Sequence, residues 1–259
     1  MAIAIIGGSG FSTLDLLTIN EKLSLETPYG PPSSEVLRGD IFDDQVNVLF
    51  LSRHGSQHTI QPHKINYRAN LYALKELGVK NIIALAAVGG IDIPCEPGSL
   101  ILPNQILDYT YGREMTFFDK VGEVAHAEFT EPYSAELRGV FLDAAKQLGV
   151  KVVNRGTYAA SQGPRLETAA EIQRFQRDGA TIVGMTGMPE AILARELGLG
   201  YMSICSSVNW AAGIQTGLIE YDDIQAAHSK ASKKLYTILN ACMANLATTE
   251  VRVPDLIRM

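Results

Sequence analysis

Four separated groups of residues have the types and spacing to do chemistry together. An apolar run over residues 2–6 stops at Gly7-Gly8-Ser9-Gly10. A strand that breaks into glycines can turn successive backbone N–H groups toward an anion, with the Ser9 hydroxyl as a further donor. It lacks the GK[ST] ending of a P-loop and the full GxGxxG spacing, so alone it reads equally as a tight turn. A second apolar run, 46–51, delivers Ser52-Arg53-His54-Gly55. Arg53 offers a planar fork suited to phosphate oxygens, and His54 adds one or two donors according to its protonation. A solvated Arg beside a structural His has the same spelling. Third, Glu167 stands just before Thr168, either as a site carboxylate or as a favourable charge at a helix start. The fourth group is the stretch 184–213, whose strand ends at Asn209 and runs into Trp210-Ala211-Ala212-Gly213. Strand ends in α/β sheets are where ligand groups project, so this edge is read as the place where a base is recognised.

The elements that must carry these groups are legible from periodicity and punctuation. In 184–213, Pro189 and Glu190 suit the first turn of a helix, Gly198 ends it, and 201–208 is a buried strand. Residues 35–39 and 46–51 read as a hairpin joined by 40–45, followed by a polar loop in which His58 and His63 are ambiguous. A helix is expected over 65–77, closed by Gly78, and then a strand over 79–87 whose small ending, Ala86-Ala87-Val88-Gly89-Gly90, lets a sugar approach the backbone or forms a plain turn. Residues 99–103 and 105–109 continue the sheet. The segment 110–132 is too long for an ordinary connection and is expected to line a site or an interface. Ser134 caps a helix to 148, 150–160 alternates as a strand, Thr168 caps a helix through Phe175, and 221–246 is a long amphipathic helix with His228 on its surface.

Composition bounds the possibilities. The 259 residues carry a formal charge of −6 with no Lys/Arg cluster, which argues against nucleic acid, since neutralising phosphates needs a basic face. No linker, repeat or low-complexity tract divides 1–259, so one α/β domain is expected. Cys95, Cys205 and Cys242 are odd in number and unpatterned, as for buried reduced thiols in a cytoplasmic protein, and no metal spacing is present. The run 1–6 has no basic flank and meets glycines too early for a signal peptide or a membrane span.

Taken together, Gly7-Gly8-Ser9-Gly10, Arg53-His54-Gly55-Ser56-Gln57-His58, Ala87-Val88-Gly89-Gly90, Glu131-Pro132-Tyr133, Gly163-Pro164-Arg165-Leu166-Glu167 and Met185-Thr186 with Pro189-Glu190 resemble the trimeric branch of the nucleoside phosphorylases, which holds purine nucleoside and methylthioadenosine phosphorylases. The resemblance implies a mixed central sheet, partly barrel-like, flanked by helices. It implies phosphorolysis, in which inorganic phosphate attacks the anomeric carbon of a purine nucleoside and free base leaves. Phosphate is then a co-substrate and no cofactor or metal is required. By matching position, Ser9, Arg53, His54, Ala87 and Thr186 would bind phosphate, Met185 and Leu166 would cover the ribose, and Trp210 and Ala211 would border the base beside Asn209. Tyr221 falls where inosine enzymes place a His at the 5′-hydroxyl. A homotrimer is implied, with His126 completing a neighbour's pocket.

One departure informs the choice of base. The methylthioadenosine branch has Asp-Tyr-Asp where this chain has Asn209-Trp210-Ala211, so both carboxylates suited to a 6-amino purine are absent. Asn209 can donate to N7 or O6 of a departing 6-oxopurine, and Glu167 can accept the N1–H that adenine lacks. The expected substrate is S-methyl-5′-thioinosine. The competing readings are a general inosine/guanosine phosphorylase, a methylthioadenosine phosphorylase, and a catalytically silent nucleoside-binding sensor.

Overall fold

A computed structural model describes residues 2–8, 11, 17–41, 46–217 and 220–258. Its centre is a set of strands covered on both faces, which explains why they read as unbroken apolar runs instead of alternating. In β1 (Ala2–Gly7), Ile3 and Ile5 pack with Phe11, Phe50, Ile83 and Leu85, while Ala4 and Ile6 face the opposite layer with Leu49, Leu51 and Ile82. Burying each of these isoleucines contributes about 1.5–3 kcal/mol.

The chain then forms β2 (Leu17–Leu23), β3 (Val36–Ile41), β4 (Val46–Ser52), α1 (Tyr67–Glu76), β5 (Val79–Gly90), β6 (Leu100–Leu102), β7 (Gln105–Asp108) and β8 (Ala125–His126). The second half follows with α2 (Ala135–Gln147), β9 (Val153–Asn154), β10 (Thr157–Ala160), α3 (Ala169–Arg177), β11 (Ile182–Gly184), α4 (Gly187–Glu196), β12 (Gly200–Trp210), α5 (Tyr221–Thr248) and β13 (Ile257–Arg258). Strands β4, β1, β5 and β12 are mutually parallel neighbours, and β2 and β3 extend that edge antiparallel. The expected hairpin is therefore β3–β4, although its connection, 42–45, lies outside the described residues.

Strand β5 organises the whole. It pairs with β1 over its first half and with β12 along almost its full length, and its last residues, Gly89 and Gly90, pair antiparallel with β11. From β11 the pairing passes to β10; the chain itself joins β10 to β9 through Arg155 and Gly156, and pairing resumes from β9 to β6 and back through β12 to β5. That circuit gives the barrel-like part of a mixed sheet in a single domain. Helices α1 and α4 pack together on one side, α2 and α5 on the other.

Several boundaries differ from the sequence reading. The expected strand 150–160 is two short strands, because Arg155 adopts φ 78° and turns the chain between β9 and β10. Strand β12 runs one residue past Asn209, with Asn209 and Trp210 paired to Gly89 and Gly90, and the chain leaves the sheet at Ala211. Ser134 flanks α2, but its hydroxyl accepts from the Tyr201 N–H and makes no cap bond. The segment 110–132 holds β8, which pairs with β13. His228 is half-buried against Phe11, with ring centroids 4.6 Å apart, and is not a bare surface residue. Thr168 does cap α3, in a capping box with Glu171, and Asn66 caps α1. The three cysteines are free and buried. No helix among the described residues is long and apolar enough to cross a membrane.

Candidate active site

The C-terminal ends of β1, β4 and β5 open onto the same space because they are parallel and in register. Gly8 follows β1, Arg53 and His54 follow β4, and 86–89 end β5. All line one cavity of about 240 Å³, together with Leu166, Glu167, Met185, Thr186, Asn209, Ala211 and Ile224. Gly8 is required by close approach. A Cβ there would stand 2.6 Å from the Leu85 carbonyl oxygen and 2.7 Å from Nη1 of Arg53.

Arg53 is 1% exposed and held by a bidentate pair with Glu190, Nε to Oε2 at 2.6 Å and Nη2 to Oε1 at 2.7 Å. Its Nη1 donates to the Leu85 carbonyl at 3.0 Å. Burial works against the charge on Arg53, but the Glu190 carboxylate more than offsets it and raises the guanidinium pKa. Glu190 is itself fully buried and also accepts from the Tyr201 hydroxyl at 2.9 Å. The sequence reading had Glu190 at a helix N-terminus. The helical dihedrals of α4 do begin beyond Met188, yet the carboxylate is spent on Arg53, 137 residues away. Three N–H donors of the guanidinium are thus committed to protein, and among the described residues the other two of its five have no protein acceptor, so they suit an anion in the cavity.

His54 is 5% exposed, and its Nδ1 lies 2.8 Å from the Ile60 carbonyl oxygen. A carbonyl only accepts, so Nδ1 carries the proton and Nε2 holds a lone pair in the neutral ring. Burial, reinforced by the charge on Arg53, lowers the His54 pKa to about 4. The one or two donors expected from sequence become one donor already used and one acceptor, suited to a phosphate oxygen that carries hydrogen.

A pH dependence follows. Between about 4 and 6.5 the unfolded chain binds a proton at His54 that the folded chain refuses. The stability linked to His54 is therefore complete above pH 6.5 and declines as pH falls toward 4. Urea unfolding at pH 7.5 and pH 5 is expected to show a smaller acid-side loss for His54→Gln than for wild type; identical losses would contradict this assignment.

In the same lining, Glu167 is half-buried and accepts from the Ser161 hydroxyl at 2.5 Å. Since Thr168 and Glu171 close the capping box, Glu167 is not used as a cap. Asn209 is half-buried, and its Nδ2 donates to the Trp210 carbonyl at 2.7 Å, which among the described residues leaves a second N–H and Oδ1 for a ligand. Tyr158 lies behind Thr186 with its hydroxyl 3.4 Å from the Thr186 nitrogen.

The inner cavity opens past Leu166, Glu167, Val208, Asn209, Ala211 and Ala212 into an outer one of about 750 Å³, lined also by Trp210, Gln215, Thr216, Glu220 and Asp223. Trp210 borders only this outer space. Two candidates are not brought to either cavity. Tyr221, first residue of α5, is 70% exposed because its side chain leans off the helix end into solvent, while Ile224 lines the inner cavity one turn on. His126 is exposed in β8, opposite Ile257 of β13. Ser9 lies outside the described residues. Pro62 and Val183 line the cavity without having been singled out, since a loop proline and an apolar strand residue carry no chemical signature. No group of three or more metal-ligating side chains occurs among the described residues.

Residues 2–244 match the Phosphorylase superfamily. The chain is 50% identical over 218 residues to a probable S-methyl-5′-thioinosine phosphorylase of Xylella fastidiosa (strain 9a5c), covering 84% of this chain and 91% of that protein. It is 42% identical over 249 residues to the 6-oxopurine nucleoside phosphorylase of Pyrococcus furiosus, covering 93% and 91% respectively. Among solved structures, methylthioadenosine phosphorylase from Schistosoma mansoni in complex with adenine superposes with a TM-score of 0.90 at 30% identity, over 96% of this chain and 93% of that one.

Proposed function

Since this chain belongs to the Phosphorylase superfamily, we propose that it cleaves a 6-oxopurine nucleoside with inorganic phosphate, and that the nucleoside is S-methyl-5′-thioinosine. The observation that carries this reading is one cavity lined both by Arg53, His54 and Thr186, which suit an anion, and by Asn209 and Glu167, which suit a purine edge. A phosphate oxygen attacks the anomeric carbon as the bond to the purine nitrogen breaks, and the bonding electrons leave with the base. Charge then gathers on the purine, where the free N–H of Asn209 donates and Glu167 accepts the N1–H of the keto form. Position 211 is an alanine, so no carboxylate awaits a 6-amino group.

The solved structures that share the scaffold include a methylthioadenosine phosphorylase at 30% identity, whereas relatives at 50% and 42% identity are named for methylthioinosine and 6-oxopurine nucleosides, which supports the oxopurine reading. Ile224 puts an apolar side chain into the lining of the inner cavity, which favours a methylthio group over a hydroxyl at the 5′ position. Assembly as a homotrimer, with His126 reaching a neighbour, is part of the same proposal, as is a cytoplasmic setting for three reduced thiols. Phosphate-dependent base release from methylthioinosine, inosine and methylthioadenosine is the test. Methylthioinosine should give the highest kcat/KM. Methylthioadenosine as best substrate would refute the base assignment; tight nucleoside binding indifferent to phosphate, with no release, would refute catalysis.

A further inference from the structure

Arg113 lies outside every motif singled out from sequence, in the long segment between β7 and β8. Its guanidinium nevertheless bonds to both of the loops that bring Met185, Thr186 and Glu167 to the cavity. Nη1 donates to the carbonyls of Met185 at 2.9 Å and Met188 at 2.6 Å, with the Tyr67 hydroxyl at 3.3 Å. Nη2 donates to the carbonyls of Gln162 at 2.8 Å and Ser161 at 3.3 Å, and Nε to the Gln162 side-chain oxygen at 3.2 Å. One nitrogen therefore serves the Thr186 loop and the other serves the Glu167 loop. The segment carrying Arg113 is itself pinned, because Glu196 accepts from the Thr116 hydroxyl at 2.7 Å and the Phe117 N–H at 2.8 Å.

We infer that Arg113 is a positioning residue that sets the separation between the Thr186 loop and the Glu167 loop. The Met185 carbonyl and the Thr186 N–H are opposite ends of one planar peptide. Arg113 holds the oxygen, the Tyr158 hydroxyl sits 3.4 Å from the nitrogen, and the direction of Thr186 follows. On the other side Arg113 holds the Ser161 carbonyl while the Ser161 hydroxyl donates to Glu167. A rigid, planar fork can span the two loops; a lysine nitrogen, as a single point on a flexible stem, cannot. The inference rests on the phosphorylase reading, since that reading gives the two loops different substrates to hold.

The experiment compares wild type, Arg113→Lys and Arg113→Ala in steady-state phosphorolysis, each below its own melting temperature. Expected are a kcat/KM reduced about 10–100-fold, as small misplacements of reacting groups allow, a raised KM for phosphate and for nucleoside together, and partial recovery of Arg113→Ala by millimolar guanidinium ion. Should Arg113→Ala fail to fold, Arg113→Lys reads the same double effect on KM. Variants with wild-type kinetics and only a lower melting temperature overturn the inference, as does a loss confined to one substrate. A wild type that releases no base overturns instead the function proposed above, and the two failures are thereby distinguished.

Discussion

Glu190→Ala is expected to destabilise the protein by about 3–5 kcal/mol, the loss that follows removal of one partner from a buried ion pair. Arg53 is 1% exposed and Glu190 is fully buried, so the abandoned guanidinium has no water to replace two short charge-assisted hydrogen bonds. Tyr201 loses its acceptor as well, leaving a hydroxyl orphaned in the same low-dielectric space. Equilibrium unfolding in urea measures the effect, and a change below about 1 kcal/mol, the size typical of exposed pairs, would show that the pair is far less isolated from solvent than described. Glu190→Gln keeps one acceptor and should fall between wild type and the alanine variant. Replacing both partners, as Arg53→Met with Glu190→Met, separates the two roles of the pair. Apolar packing should recover part of the stability, whereas phosphate-dependent base release should stay abolished because the cation facing the anion is gone.

This pair also marks where sequence reading stops. Arg53 after a buried strand signals an anion site from local spelling alone, and β1, β4 and β5 announce themselves as apolar runs because both faces of each are covered. Glu190, read locally, is only a carboxylate behind a proline at a helix start; that it neutralises a residue 137 positions earlier depends on β4 and α4 meeting in space. The same limit hid Arg113, whose acceptors are nearly all backbone carbonyls, groups that every residue possesses. Strand β2 was missed for a different reason. Its interior is exposed, polar and edge-like, so no apolar periodicity betrays it, and it exists by pairing with β3. Strand β11 was missed because three residues are too few to show a period. His54 was half legible: its identity suggested a ligand, but only the Ile60 carbonyl fixes which nitrogen is free.

The second large effect concerns the choice of base. Glu167→Ala should lower kcat/KM for 6-oxopurine nucleosides by about 10²–10⁴-fold while barely changing the slow turnover of 6-amino nucleosides, because discrimination by a site built to hydrogen-bond one partner disappears with its acceptor. The geometry makes the asymmetry specific. Glu167 already accepts from Ser161 at 2.5 Å, so its remaining oxygen has no other duty among the described contacts than a donor in the cavity. Asn209→Asp moves the same preference from both ends. The amide now gives one N–H to the Trp210 carbonyl at 2.7 Å, and an ionised carboxylate in its place would set two acceptors, lone pair against lone pair, with no proton between them. The introduced Asp is therefore driven toward its protonated form, donating to Trp210 and turning its second oxygen, an acceptor, toward the base. A 6-oxopurine then loses a donor at its departing ring, worth about 10²–10³-fold in kcat, and a 6-amino group gains a partner. The ratio of kcat/KM for methylthioinosine over methylthioadenosine, measured for both variants, should fall in each, and in Asn209→Asp the methylthioadenosine value should itself rise. An unchanged ratio in both would mean that neither side chain touches the purine.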